Sequence, residues 1–334
     1  MSDTACKYLA SIVIRAYNEG RHIGKLPQKL KEQSEQDFEV ILVDSGSTDD
    51  TVKIAEQFGA KIVHISKSDF SFGRALNIGC AAAQGKYLVF VSAHVYPMHE
   101  DWLKNLLAPF EDEQIAVSYG MQRGGDTNKF SELQIFHTWF PEQSEIPQKG
   151  YFCNNANCAI RRKDWLKRRY DEHLTGLEDL HWAKQAVREG GKVAYVAEAG
   201  IIHIHEESWY QVRNRYMREA LALRTIENGH VRFTAWDALK LFVQNAYADM
   251  KAARAQGVFT KELSSIILFR FNQFLGTYLG YKWVQDDTVR DLRKRFYYPK
   301  QTASSAPAGR QADNDDGKRE KNMLLRNVRA NARK

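Results

Sequence analysis

What most constrains this chain is an alternation in its first hundred residues. Short, unbroken apolar runs are separated by segments with helical spacing. The runs are SIVIRAY (11–17), EVILVD (39–44), KIVHI (61–65) and YLVFV (87–91). Helical patterns fall between them, near 21–35, 49–58 and 74–83. An edge or one-sided strand alternates apolar with polar residues, whereas an unbroken run predicts a strand covered on both faces. The pattern therefore predicts an α/β fold with a doubly wound, mainly parallel sheet. Such sheets bind ligands at the carboxyl ends of their strands.

Beyond residue 100, IAVSYGM (115–121) reads as a further strand, followed by an irregular polar and aromatic stretch to about 150. EDLHWAKQAVREGG (178–191) reads as a helix ended by glycine, and KVAYVAEAGIIHIH (192–205) as strand. The pattern is helical from 208 to 297, then polar and poor in aromatics. The expected partition is a sheet domain over 1–207, a helical region over 208–298 and a disordered basic tail over 299–334. With 334 residues the chain can bury a core of one large or two modest domains.

The longest apolar stretch, 263–284, carries Arg270, Asn272 and Gln273 at its centre, so it predicts a core or amphipathic helix rather than a membrane span. The first twenty residues lack a charged segment followed by a long apolar core, so no signal peptide is expected. Four cysteines without a CxxC pair argue against structural zinc and fit a reducing compartment. The expected location is cytoplasmic, with peripheral contact on the inner face of the membrane allowed. A formal net charge of +7 suits an anionic partner.

The polar residues of the first half gather where the runs end. Asn18 and Glu19 follow the first, Asp44 and Ser45 end the second, and Ser92, Ala93 and His94 follow the fourth. Ser47 and Asp50 have capping-box spacing, as an ordinary strand-to-helix turn would also show. Neither GxGxxG nor GxxxxGK[ST] is present. Arg74 suits a phosphate or plain solvation, and Asn77 lies between Gly73 and Gly79. His203 and His205 would share one face of a strand. Glu178 and Asp179 open a helix, a position favoured by the helix dipole in any case. Asn154, Asn155 and Asn157 suit sugar hydroxyls or a turn, and Trp139 offers a flat face for a sugar or for the core.

Taken in order, SIVIRAYNEG, VDSGSTDDT, FGRALNIG, GKYLVFVSAHVYP, NNANCAIRR and GLEDLHWA resemble the family-2 inverting glycosyltransferases of GT-A fold. The flavour is that of the bacterial rhamnosyltransferase-like branch, and the likeness spans about residues 10 to 225. The resemblance implies a nucleotide-sugar donor held by Ala16, Asn18, Glu19 and Asp44, with Ser45, Arg74, Asn77, Ser92 and Ala93 beside them. It implies Asp179 as general base with Glu178 as acceptor binder or second choice. Asn154, Asn155, Asn157 and Trp139 become the acceptor residues. The family places a metal-binding aspartate where this chain has His94.

His94 then has three readings: a metal ligand with His203 and His205, a hydrogen-bond partner of the diphosphate, or a structural histidine. Imidazole suits Mn²⁺ better than Mg²⁺. The expected activity is sugar transfer, with inversion, onto a glycan or lipid-linked acceptor in capsule, O-antigen or exopolysaccharide synthesis. The alternative is a catalytically weak sugar-nucleotide-binding or scaffold protein with a degenerate metal site. A homodimer through the helical region fits either reading, and no nucleic-acid partner is expected.

Overall fold

Each unbroken apolar run becomes a strand. In the computed structural model these are β1 (Tyr8–Ala16), β2 (Phe38–Asp44), β3 (Lys61–His64) and β4 (Gly85–Ser92), all mutually parallel. They alternate with α1 (Lys25–Lys31), α2 (Thr51–Gln57) and α3 (Phe72–Ala82). The structure describes residues 6–229, 232–283 and 296–297, which fall in the compact unit Met1–Pro299. The tail expected over 299–334 lies outside the described residues.

The second half makes the sheet mixed. β5 (Val95–Pro97), β6 (Ile115–Gly124), β7 (Glu145–Gln148), β8 (Asn157–Arg161) and β9 (Lys192–His203) complete the order β3-β2-β1-β4-β8-β6-β9-β5, with β7 beside β9. β8 runs antiparallel to β4 and β6, while β6 and β9 are parallel. The connecting helices are α4 (Trp102–Leu107), α5 (Phe130–Trp139), α6 (Arg162–Lys167) and α7 (Glu178–Arg188). The stretch expected to be irregular up to about 150 therefore contains a helix and a strand. Its helix was masked by weak periodicity, since both Ser131 and Glu132 are buried alongside Phe130 and Phe136.

Two apolar layers cover the sheet. Val13, Ile41, Phe90 and Tyr195 belong to one, and Ile12, Leu42, Val89 and Trp102 to the other. Alternate residues of each strand thus feed opposite layers, which is why the runs are apolar throughout.

Asn77 and Asn157 prove to be core residues. The Asn77 side chain accepts hydrogen bonds from Trp165 Nε1 and the Tyr170 backbone N–H, both at 3.0 Å, and donates to the Tyr170 carbonyl at 2.9 Å. Asn157 accepts from Trp102 Nε1 at 2.9 Å and donates to the Ala199 carbonyl at 2.7 Å. We expect Asn77→Ala to lower stability by about 2–4 kcal/mol, because two buried N–H donors lose their acceptor. Urea unfolding checks this; a change under about 0.5 kcal/mol would mean the site relaxes around the loss.

Three long helices follow: α8 (Trp209–Ile226), α9 (Ala235–Ala255) and α10 (Phe259–Lys282). α10 approaches α8 at Gly276 and Gly280, where an added Cβ would meet the carbonyls of Arg213 and Met217 at 2.3 Å. Arg270, conspicuous in an apolar segment, is buried and forms a two-pronged pair with Asp249 of α9 at 2.7 and 2.8 Å. Among the described residues no helix is long and apolar enough to cross a membrane.

Candidate active site

The carboxyl edge of the sheet borders a cavity of about 680 Å³. β4 stops at Ser92 because the chain turns there and starts back as β5. β5 pairs antiparallel with β9 in a register that sets Val95 opposite His203, and Ile204 N donates to the His94 carbonyl at 3.1 Å. This pairing brings His94 to the end of β9. The His94 and His203 rings stack with centroids 5.1 Å apart, and those of His203 and His205 lie 4.1 Å apart. One nitrogen from each of the three imidazoles lies within 4.8 Å of the other two.

The ring nitrogens facing away from the cluster are each engaged. His205 Nδ1 lies 2.7 Å from Glu132 Oε1, and an ionised carboxylate only accepts, so Nδ1 carries the proton. His203 Nδ1 lies 2.8 Å from Gln122 Oε1, and His94 Nδ1 lies 3.0 Å from Glu19 Oε1. Burial opposes charge on Glu132, but His205 and Arg215 outweigh it and hold its pKa at about 2. His203 is driven the other way: burial first, then its neighbours His205, His94 and Arg215, lower its pKa well below the usual histidine range. Neutral imidazoles with Nδ1 tied back to an oxygen present Nε2 as a ligand. His203 Nε2 and His205 Nε2 face each other at 3.0 Å, an arrangement that a cation between them would relieve. Three nitrogens of this kind fit a borderline divalent metal such as Mn²⁺ better than Mg²⁺.

The charge balance of the wall agrees. Glu19, Asp49, Glu178, Asp179, Glu206, Glu207 and Glu219 face the cavity against Arg15, Arg21, Arg215 and Arg218. A diphosphate entering seven carboxylates and four guanidiniums needs a further source of positive charge.

Asp179 lines the same cavity. Leu177 precedes it with φ 56°, a left-handed turn that starts α7 and turns the next two carboxylates toward the cavity. Asp179 accepts from the backbone N–H groups of Asn155 and Leu180, each at 2.8 Å. Burial and the charge of Glu178 raise its pKa to about 7, against those two N–H donors and Arg15. Glu178 is buried and paired with Arg15 Nη1 at 2.9 Å. Asn155, on the same wall, is buried, and neither end of its side-chain amide has a partner. Such a group in a cavity wall calls for a ligand hydroxyl.

The expected residues divide into two groups. Asn18, Glu19, Ser92, His94, Asn154, Asn155, Glu178, Asp179, His203 and His205 all line this cavity. The others are placed elsewhere. Asn77 and Asn157 hold the core. Trp139 is 54% exposed and stacks on Phe152, away from the cavity. Arg74 does not line the cavity. Ala16, Ser45 and Ala93 are buried and do not line it. Asp44 is buried and accepts from Gly46 N and Ser47 N, so it shapes the loop beside the cavity. The capping box does not form: Ser47 Oγ accepts from Asn18 N, and Asp50, the residue before α2, makes no side-chain cap. The loop after β1 competes for that hydroxyl.

Glu132, Gln122, Arg15 and Phe72 are contributed by segments without a local signal. Glu132 sat in a stretch that gave no helical pattern, and Arg15 lay inside an apolar run.

Known proteins share parts of this sequence and fold. The profile described as glycosyl transferase family 2 matches residues 11–170. The chain is 28% identical to O-antigen chain rhamnosyltransferase WbaN of Salmonella anatum over 218 residues, 62% of this chain and 69% of that protein. It is 26% identical to O-antigen chain rhamnosyltransferase RfbN of Salmonella typhimurium over 220 residues, again 62% and 69%. A solved mannosyltransferase from Pyrobaculum calidifontis, in complex with GDP-Man and Mn²⁺, superposes with a TM-score of 0.55. That superposition covers 83% of this chain and 86% of the other at 16% identity, which establishes likeness of fold alone.

Proposed function

This chain belongs to glycosyl transferase family 2, and from that premise we propose that it transfers a sugar, with inversion, from a nucleoside-diphosphate donor to an acceptor hydroxyl during surface polysaccharide synthesis. The observation that carries this reading is one cavity lined by both Asp179 and the three clustered imidazoles. The rhamnosyltransferase names of the relatives support a deoxyhexose donor and an O-antigen-type acceptor. The Mn²⁺ and GDP-Man of the mannosyltransferase complex support a divalent metal beside the donor diphosphate.

Asp179 removes the proton of the attacking hydroxyl as the new bond forms, and its raised pKa suits that task near neutral pH. Asn155 and Asn154 hold hydroxyls so that the nucleophile faces the anomeric carbon, and Glu178 is held by its pair with Arg15. The hydroxyl enters opposite the departing diphosphate, which inverts the anomeric centre. His94, His203 and His205 would hold the metal, whose Lewis acidity stabilises charge on the leaving group. Glu132 and Gln122 fix the tautomers that make two of those imidazoles available.

The base works deprotonated, and its pKa lies above the ordinary carboxylate range. We therefore expect kcat/KM to rise with pH through about 7 and then level. A profile flat from pH 5 to 9 would remove Asp179 as the titrating base. The function itself is tested by incubating the protein with UDP-, GDP- and dTDP-sugars, with and without Mn²⁺, and measuring nucleoside diphosphate release. At least one donor should be turned over; none turned over would sink the reading.

A further inference from the structure

The segment that presents Asp179 is held by parts of the chain far from it in sequence. It enters α7 through Leu177 in a left-handed conformation, which glycine adopts freely and other residues at a cost. Such a turn persists only where its surroundings over-determine it. Gly73 of α3 packs directly on this segment, where an added Cβ would collide with the Asp171 carbonyl. Thr175 Oγ1 donates to the Arg218 carbonyl of α8 at 3.1 Å.

A third tie comes from beyond α10. The Tyr297 hydroxyl donates to the Leu174 carbonyl at 3.3 Å, across 123 residues of sequence. Its ring meets Phe70 and Phe72, each with centroids 5.2 Å away, and those two rings lie 5.4 Å from each other. All three pairs have the favoured edge-to-face geometry. Phe72 lines the cavity and carries Arg15 over its face, 4.8 Å from the centroid. Arg15 in turn pairs with Glu178 at 2.9 Å. Tyr297 therefore reaches the Leu177 turn by two routes. One runs through Leu174, and the other through Phe72, Arg15 and Glu178. Its neighbour Phe296 is buried against Met217 and Leu221 of α8, which anchors the tyrosine.

We propose that Tyr297 is a positioning residue of the transferase site, holding the Leu177 turn so that Asp179 faces the acceptor hydroxyl. This rests on the reading of Asp179 as base. Tyr297 does not line the cavity, so it acts through the residues it holds. It also ties the helical region to the chemistry, because a residue beyond α10 completes the mount of the base. Loss of the ring costs rate rather than donor affinity. A displaced carboxylate loses its line to the hydroxyl, while the contacts to the nucleotide stay in place.

Tyr297→Ala in the full chain should lower kcat about 10–100-fold, with donor KM within about threefold of wild type. Hydrogen exchange read by mass spectrometry should show residues 174–180 exchanging about tenfold faster or more, while the sheet strands stay as protected as in wild type. Tyr297→Phe keeps the three rings and loses only the hydroxyl, so it should restore kcat to within about threefold of wild type. Tyr297→Leu keeps apolar bulk without the edge-to-face geometry. It decides the matter if the alanine variant does not fold, with an expected loss in kcat of about fivefold or more. A folded alanine or leucine variant with wild-type kcat overturns the proposal. So does faster exchange spread evenly over the chain, or a raised donor KM with kcat intact. A wild type that turns over no donor ends the reading of Asp179 as base, whereas unaltered exchange at 174–180 in Tyr297→Ala ends this proposal alone.

Discussion

Asp179→Asn is expected to lower transfer by about 10³-fold or more while donor affinity stays within a few-fold of wild type. The carboxylate is the group placed to take the acceptor proton, and nothing else on that wall is equivalent. Glu178 is buried and committed to Arg15, so it cannot approach a hydroxyl without breaking that pair. Asparagine keeps the shape but cannot accept a proton at neutral pH. It also keeps only one good acceptor for the two N–H groups of Asn155 and Leu180, so the segment will shift slightly. Single-turnover transfer with calorimetric donor binding separates chemistry from affinity. Transfer retained within tenfold would move the base elsewhere, with Glu178 the first candidate. Lost donor binding would instead make Asp179 a binding residue.

His205→Ala should abolish tight Mn²⁺ binding and reduce metal-stimulated donor turnover by about 10²-fold or more. His205 is the hinge of the cluster: its Nδ1 is held by Glu132, itself locked by Arg215, and its Nε2 faces His203. Removing it also leaves the Glu132 carboxylate with Arg215 and Asn128 as its partners. Glu132→Gln is the gentler companion, since the amide oxygen still accepts from Nδ1 but the charge is gone. It should weaken metal binding about 10–100-fold. Electron paramagnetic resonance of Mn²⁺ titrations reads both variants directly. Unchanged Mn²⁺ affinity in His205→Ala would leave the imidazoles as hydrogen-bond partners of the diphosphate or as structure.

How far the sequence could reach follows from which interactions are local. A strand buried on both faces announces itself residue by residue, so the parallel half of the sheet was legible in SIVIRAY and YLVFV. That His94, His203 and Asp179 approach the rim of the sheet was also legible, because His94 follows β4, His203 ends β9 and Asp179 lies in the first turn of α7. The stacking of His94 on His203 was not, since it depends on a three-residue return strand that no periodicity reveals. Glu132, 73 residues from His205, gives no sign in sequence of its partner.

Asn77 and Asn157 misled for a related reason. An amide that satisfies a buried Trp N–H is written in the same letters as one that meets a sugar. Asp44 shows a milder form of this, as its carboxylate closes the loop after β2. Composition was least informative, because the net charge of +7 belongs to the chain as a whole while the cavity wall is acidic.

The most direct test of the shared cavity is a crystal structure of the protein with Mn²⁺ and whichever nucleoside diphosphate it binds tightest. The account predicts the metal on nitrogens of His203 and His205, the diphosphate beside it, and Asp179 facing the remaining space. Nucleotide bound in another crevice, or metal away from all three imidazoles, would contradict it.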